Sequence, residues 1–145
     1  MDLSPAPAHA FTHTFAVALT DIDALGHANN VAYVRWVQEA AAAHWQQLYP
    51  AGPDEAAAQV WVVQQHLVRY FRPAYAADEL RATTWVADVR GAGSQRLTRL
   101  ERARDGQLLC AAETQWVLVD AGSGRPVRVP ADVAGRLLAN RLVPK

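Results

Sequence analysis

A single stretch with helical periodicity stands among segments patterned as strands, and that imbalance limits the possible folds more than any other feature of the chain. From Val31 to about Leu48, Val34, Val37, Ala41, Trp45 and Leu48 recur at three- and four-residue spacing, the pattern of a long amphipathic helix. Ala40 to Ala43 keep its middle narrow and strongly helix-forming, so another surface can approach closely. Pro50, Gly52 and Pro53 end it. Before it, Phe11 to Leu19 reads as a strand, with Phe11, His13, Phe15, Val17 and Leu19 on one parity. After it, Val60 to Phe71 is rich in β-branched and aromatic residues until Pro73 breaks the run. Three more strands follow, Leu80 to Arg90, Gln95 to Arg104 and Leu108 to Asp120, joined by turns at Gly91-Ala92-Gly93 and Arg104-Asp105-Gly106. The order predicts an α+β fold with a five-stranded antiparallel sheet and one dominant helix. A short helix from Ala131 to Asn140 is also expected.

The 145 residues are 51% hydrophobic, enough for one domain with a proper core, expected over residues 11–145 behind a tail of residues 1–10. A formal net charge of zero leaves no global basic field for nucleic acid or an anionic membrane. No apolar stretch approaches the ~18 residues of a membrane span. Met1 to Ala10 carries Asp2, Pro5 and Pro7 instead of a basic start and apolar core, so a soluble cytoplasmic protein is expected. Cys110 is the one cysteine, which excludes a disulfide or cysteine-rich metal site within the chain and reads as a small buried hydrophobe. His9, His13, His44 and His66 show no ligand spacing, and no metal is expected. Ser94 and Ser123 lack a nucleophile-elbow context.

Chemistry concentrates just before the helix. Asp21 to Ala40, DIDALGHANNVAYVRWVQEA, brings two acids, a glycine, a histidine and two asparagines to a helix N-terminus. Gly26 can take the positive φ of a sharp turn, and Asn29 or Asn30 can cap the helix. First-turn amides lack intrahelical acceptors and carry the positive end of the helix dipole, so a carbonyl oxygen gaining negative charge is stabilised there. A carboxylate held beside such amides suggests acyl transfer or acyl hydrolysis. Taken alone, Asp23 suits either that chemistry or a turn, and Asp21 suits fixing the loop through backbone bonds.

Read as DxDxxGHxNNxxYxxW from Asp21 through Trp36, the segment resembles the signature of hotdog-fold thioesterases, both the 4-hydroxybenzoyl-CoA thioesterase family and the plant acyl-ACP thioesterases. Tyr70 to Leu80, YFRPAYAADEL, is similar to the family's aromatic, Arg-Pro-Ala and Asp-Glu-Leu run. Val117 to Pro130, VLVDAGSGRPVRVP, resembles its last strand and following turn. The resemblance covers nearly the whole chain, with Met1 to Ala10 outside it. It implies a hotdog fold and hydrolysis of an acyl-CoA thioester to free acid and CoA, with no metal or organic cofactor. It makes Asp23 the essential carboxylate, either nucleophile on the thioester carbonyl or base that activates water. An ionised aspartate suits both roles, because its unperturbed pKa is about 4 and the thiolate departs readily. His27 then orients water, polarises the carbonyl or bonds the carboxylate, unless it is a loop histidine satisfied by backbone. The Asn30 amide is the expected oxyanion donor. Plant enzymes carry an asparagine two residues after the acid where this chain has Leu25, so their network does not carry over whole. Another hotdog branch takes its carboxylate from the helix, where Glu39 stands, though an ion-paired or solvated Glu39 is expected here.

Asn29, Tyr33, Arg72, Ser94 and Arg96 are the candidates for holding substrate. Thirteen of the fourteen basic residues are arginines, and Arg90, Arg96, Arg99, Arg102 and Arg104 cluster on or beside the fourth strand. Their forks suit the phosphates of CoA, as does that of Arg72. Trp36, Trp45, Trp61, Trp85 and Trp116 are placed to line an acyl tunnel or to pack in the core or a subunit interface. The resemblance implies a homodimer or homotetramer, because hotdog active sites lie between subunits. An acyl-ACP is the nearest alternative substrate. A noncatalytic acyl-thioester-binding subunit and a hotdog dehydratase are the alternatives of other kinds.

Overall fold

Two tight reversals build the centre of the sheet. Gly91 at φ 60° and Gly106 at φ 70° take the left-handed conformation that other residues rarely adopt, so three successive strands fold back on one another. These are β3 (Glu79–Arg90), β4 (Gly93–Arg102) and β5 (Leu108–Asp120). β1 (Phe11–Ala16) adds beside β3 and β2 (Gln59–Tyr70) beside β5, giving the order β1-β3-β4-β5-β2 with every pairing antiparallel. Helix α1 (Asn30–Leu48) lies against this sheet, and a short α2 (Ala131–Leu137) follows β5. The computed structural model describes residues 5–50 and 58–138. Asp2, the helix-stop residues Gly52 and Pro53, and Asn140 at the end of the expected C-terminal helix lie outside the described residues.

The core sits where helix and sheet meet. Ala32 and Ala40 of α1 share it with Ala82 of β3 and Ala112 of β5, small residues that let the surfaces approach. Trp36, Leu80, Leu100 and Leu109 fill it, each leucine contributing roughly 2 kcal/mol on burial. Cys110 belongs to the same cluster, and burial pushes its thiol up to about 12, so it stays protonated and acts as a hydrophobe. This is the hotdog arrangement, one long helix wrapped by a five-stranded antiparallel sheet.

Two expectations shift. β1 ends at Ala16 and not at Leu19, because Leu19–Asp21 coil into a 3-10 turn that redirects the chain toward the helix, leaving Leu19 exposed. The buried face of α1 centres on Tyr33, Trp36, Val37, Ala40 and His44, while Val34, Trp45 and Leu48 are only partly buried. The face is rotated, and the flank bearing Trp45 borders a cavity across which Trp45 meets Trp61 of β2 edge-on.

Candidate active site

A miniature hairpin precedes α1. Ile22 and Ala28 pair, the Asp23 N–H donates to the His27 carbonyl at 3.0 Å, and the Gly26 N–H donates to the Asp23 carbonyl at 3.0 Å. Gly26 at φ 87° closes the turn. Asn29 is the helix cap, its Oδ1 accepting from the Val31 N–H at 2.8 Å, while Asn30 is the first helical residue. The Ala28 N–H donates to the Ala74 carbonyl at 2.8 Å and the Tyr70 hydroxyl to the Asn30 carbonyl at 3.1 Å. Those bonds bring the segment between β2 and β3 beside the helix entrance. Backbone contacts hold the loop, which leaves its side chains available.

Its two acids meet opposite surroundings. Asp21 is buried and accepts from Arg35 Nη2 at 2.7 Å and from the Ala18 N–H at 3.3 Å. Arg35 reaches on to Glu39 at 3.2 Å, and hydrogen bonding to Asp21 is the chief cause that lifts its guanidinium above the ordinary value. Asp21 therefore braces the loop, as expected, through a side-chain ion pair as well as backbone. Asp23 is half-buried, its Oδ1 accepts from the Leu25 N–H at 2.9 Å, and no cation pairs with it among the described residues. The Asn30 N–H also has no acceptor among the described residues, since the Asn29 side chain engages Val31 and the Asn29 carbonyl engages Ala32. His27 is half-buried, and its one side-chain hydrogen-bond contact among the described residues is a long 3.4 Å one from Nδ1 to the Ala28 carbonyl. Asp23, His27, Asn29 and Asn30 are thus brought together at one entrance.

The other candidates scatter. Tyr33 is 2% exposed, accepts the Ala74 N–H at 2.9 Å and packs edge-on against Trp36 and Tyr70, so the expected substrate contact gives way to a core position. Arg72 is exposed on the segment beside the entrance, with no acidic partner among the described residues. The arginines of β4 do not form one phosphate-facing patch, because strand alternation turns Arg99 to the opposite face and the others are engaged by separate partners. Arg96 points toward α1, Arg99 lies 5.2 Å over the Trp85 ring, Arg102 pairs with Asp105 at 2.8 Å, and Arg90 beside the strand pairs with Asp88 at 3.5 Å. Glu39 is half exposed and held by Arg35. No group of three or more metal-ligating side chains that could hold an ion occurs among the described residues.

Ser94 and Arg96 instead border a cavity of about 580 Å³ between the C-terminal half of α1, the sheet and α2. Three of the five tryptophans line it, Trp45, Trp61 and Trp116, whereas Trp36 is core and Trp85 packs under Arg99. Sequence reasoning missed the side-chain network at its edge. His44 Nδ1 accepts from Arg96 Nη1 at 3.0 Å, and the same Nη1 donates to Thr84 Oγ1 at 3.1 Å. Burial, then the Arg96 charge, pushes His44 down to about 4, and burial lowers Arg96 to about 10. One signal was visible: His44 stands seven residues after Val37, on the apolar stripe itself.

Known proteins converge on one family. The family model of the thioesterase-like superfamily matches residues 17–137. The 1,4-dihydroxy-2-naphthoyl-CoA thioesterase from Synechocystis shares the fold with a TM-score of 0.75 at 18% identity, over 88% of this chain and 95% of its own. A Staphylococcus aureus protein solved in complex with CoA gives 0.78 at 17% identity, over 94% and 88%. The PA2801 protein from Pseudomonas aeruginosa gives 0.74 at 27% identity, over 84% and 93%. No curated protein matches at a significant level. The family match begins at the turn into the Asp23 loop and ends with α2, spanning every element except β1, so this chain belongs to the thioesterase-like superfamily.

Proposed function

We infer that this thioesterase hydrolyses acyl-CoA esters, with Asp23 as the working carboxylate. One observation carries the reading: among the described residues, an acid without a cationic partner stands at the entrance of α1, where the Asn30 N–H has no acceptor. A thioester carbonyl oxygen accepting from that amide gains the positive end of the helix dipole as its charge develops. Asp23 then attacks the carbonyl carbon directly, or removes a proton from the water that does. Collapse of the tetrahedral intermediate breaks the C–S bond and releases CoA thiolate. In the nucleophilic route, water next cleaves the mixed anhydride and frees Asp23. His27 and the Asn29 side chain border the same space, and exposed Arg72 is available to CoA phosphates. CoA bound to the Staphylococcus aureus relative supports CoA as the carrier.

The active unit in this reading is a homo-oligomer. β2 ends the sheet as a twelve-residue edge that exposes Val60, Val62, Leu67 and Tyr70, a template for a twin strand. Leu25 and Val31, on either side of the active loop, are also exposed. Twofold pairing of β2 with its twin sets the two α1 helices antiparallel, so one subunit's Asp23 loop lies beside the other's C-terminal helix half.

Thiol release from a panel of acyl-CoAs tests the function, and sedimentation at micromolar concentration tests the assembly. Turnover by a dimer or tetramer is the expected result. CoA-ester binding without thiol release would make the protein a noncatalytic acyl-thioester binder, and a fully active monomer would sink the shared-site architecture.

A further inference from the structure

The cavity beside α1 is lined mainly by apolar and aromatic side chains, with one cation at its border. Arg96 borders it at 4% exposure, and its only partners among the described residues are His44 and Thr84, both neutral acceptors. Among the described residues, Arg96 Nε and Nη2 find no protein acceptor, and no aspartate or glutamate lines the cavity. An arginine kept for packing alone normally meets a carboxylate or reaches water, because a buried charge without a counter-ion is strongly disfavoured. Arg96 does neither. Ser94 adds a buried hydroxyl to the same lining, and Trp116 contributes an indole N–H with no partner. Around these donors stand the aromatic walls Trp45, Tyr49 and Trp61.

We propose that this cavity receives the acyl group of the substrate, and that this acyl group ends in a carboxylate paired with the Arg96 guanidinium. An apolar body then fills the aromatic walls while its terminal anion supplies the missing counter-ion and occupies the free donors in a fork that guanidinium geometry favours. His44 is a positioning residue: its neutral Nδ1 holds Arg96 Nη1 and leaves the rest of the fork for the ligand. The proposal leans on the thioesterase reading for the identity of the other end of the ligand, whereas recognition of the carboxylate itself does not. His44 lies fourteen residues along α1 from Asn30, ~21 Å at the helical rise, beyond a medium-length acyl chain held at its own subunit's loop. Antiparallel helices across a twofold axis bring the partner's loop to this cavity and remove the mismatch.

Two readouts separate the pocket from the reaction. Tryptophan fluorescence, reporting on the cavity walls, follows titration with α,ω-dicarboxylic acids of six to twelve carbons and with monocarboxylic acids of equal length. Thiol release compares the matching ω-carboxyacyl-CoA and acyl-CoA esters. We expect wild type to favour the dicarboxylic member at least tenfold in both assays at its best length, and Arg96→Met to reduce that ratio to about one. Arg96→Lys, which keeps the charge and loses the fork, should retain part of it and covers the case in which Arg96→Met does not fold. Dicarboxylate selectivity in fluorescence without any thiol release would uphold the pocket and overturn the thioesterase reading. Thiol release with no preference for the ω-carboxylate, or a preference unchanged in Arg96→Met, would overturn the pocket and leave the thioesterase standing.

Discussion

At the N-terminal end of α1, Asp23 is a half-buried carboxylate fixed by backbone hydrogen bonds, with no cation against it. Toward the C-terminal end, Arg96 is a buried cation fixed by two neutral side chains, with no anion against it. Each end thus carries a charge that the described protein leaves uncompensated, one near solvent and one away from it. A loop held largely by its backbone can leave an acid available to a ligand, because no side-chain cation is needed to fix it. A network sunk in the interior perturbs its own members, and His44 shows this in a protonation lowered first by burial and then by the Arg96 charge. Together the two ends describe a ligand with a reactive electrophilic group at one extremity and an anion at the other.

The comparison breaks first at Asp23. Asp23→Asn keeps the side-chain shape and the acceptor for the Leu25 N–H while removing charge and basicity. We expect thioester hydrolysis to fall a hundredfold or more, about 3 kcal/mol of barrier, with the fold unchanged by circular dichroism. A folded variant that keeps more than about a tenth of wild-type turnover would take Asp23 out of the mechanism.

The buried end should announce itself through pH. His44 takes a proton at about 4 in the folded chain and near 6.5 when unfolded. Above pH 6.5 neither state holds that proton, and this contribution to stability is fully present. Between 6.5 and 4 the unfolded chain binds it and the folded chain does not, so stability declines, and below 4 the slope ends. The total is ~3 kcal/mol at about 1.4 kcal/mol per unit. Arg96, His9 and the stacked Phe11 ring, 5.3 Å away, face His44 and set its surroundings. Denaturant unfolding of wild type and His44→Gln over pH 5 to 7 isolates the effect from carboxylates that titrate lower. Equal slopes in the two proteins would show that His44 is not its source.

The two aspartates of the loop sharpen the contrast at closer range. Arg35→Met removes the only cation on buried Asp21 among the described residues, where its remaining side-chain partner is the Ala18 N–H. Destabilisation of about 1–2 kcal/mol is expected, since Arg35 is half exposed and water replaces part of the lost contact. Turnover should drop far less than in Asp23→Asn. Inactivation of equal depth in a folded Arg35→Met protein would mean that the brace and the catalytic acid act as one unit.

What could be read from the sequence follows the same division. The loop, its glycine turn and its cap are local, so the spacing of Asp23, Gly26 and Asn29 is enough to place them at the helix entrance. Strand order and the two tight turns were equally legible, because alternation and glycine act over a few residues. The Arg96–His44 contact joins residues fifty-two apart, and no local pattern encodes it. Sequence proximity groups Arg96 with its neighbours as a phosphate patch, whereas pleating of β4 turns it inward and Arg99 to the other face. Tyr33 was misjudged for a related reason. Its motif position suggested substrate, while its hydroxyl was needed by the Ala74 N–H of a distant turn.

Glu39 supplies the smallest expected effect and the narrowest discrimination. It lies on α1 nine residues beyond the entrance, half exposed, with Arg35 one turn before it. An exposed pair at this spacing contributes about 0.3–0.5 kcal/mol, and less in the present order, where the base precedes the acid. Glu39→Gln should therefore leave stability nearly unchanged and turnover within about a factor of two, ~0.4 kcal/mol of barrier. A small rise in mobility of Arg35 is tolerable, because Asp21 remains its shorter partner at 2.7 Å. Kinetics on purified Glu39→Gln and Asp23→Asn side by side gives the decision. Should Glu39→Gln be inactive while Asp23→Asn is nearly silent, the working carboxylate belongs to the helix, and the open acid at the loop is only a turn residue.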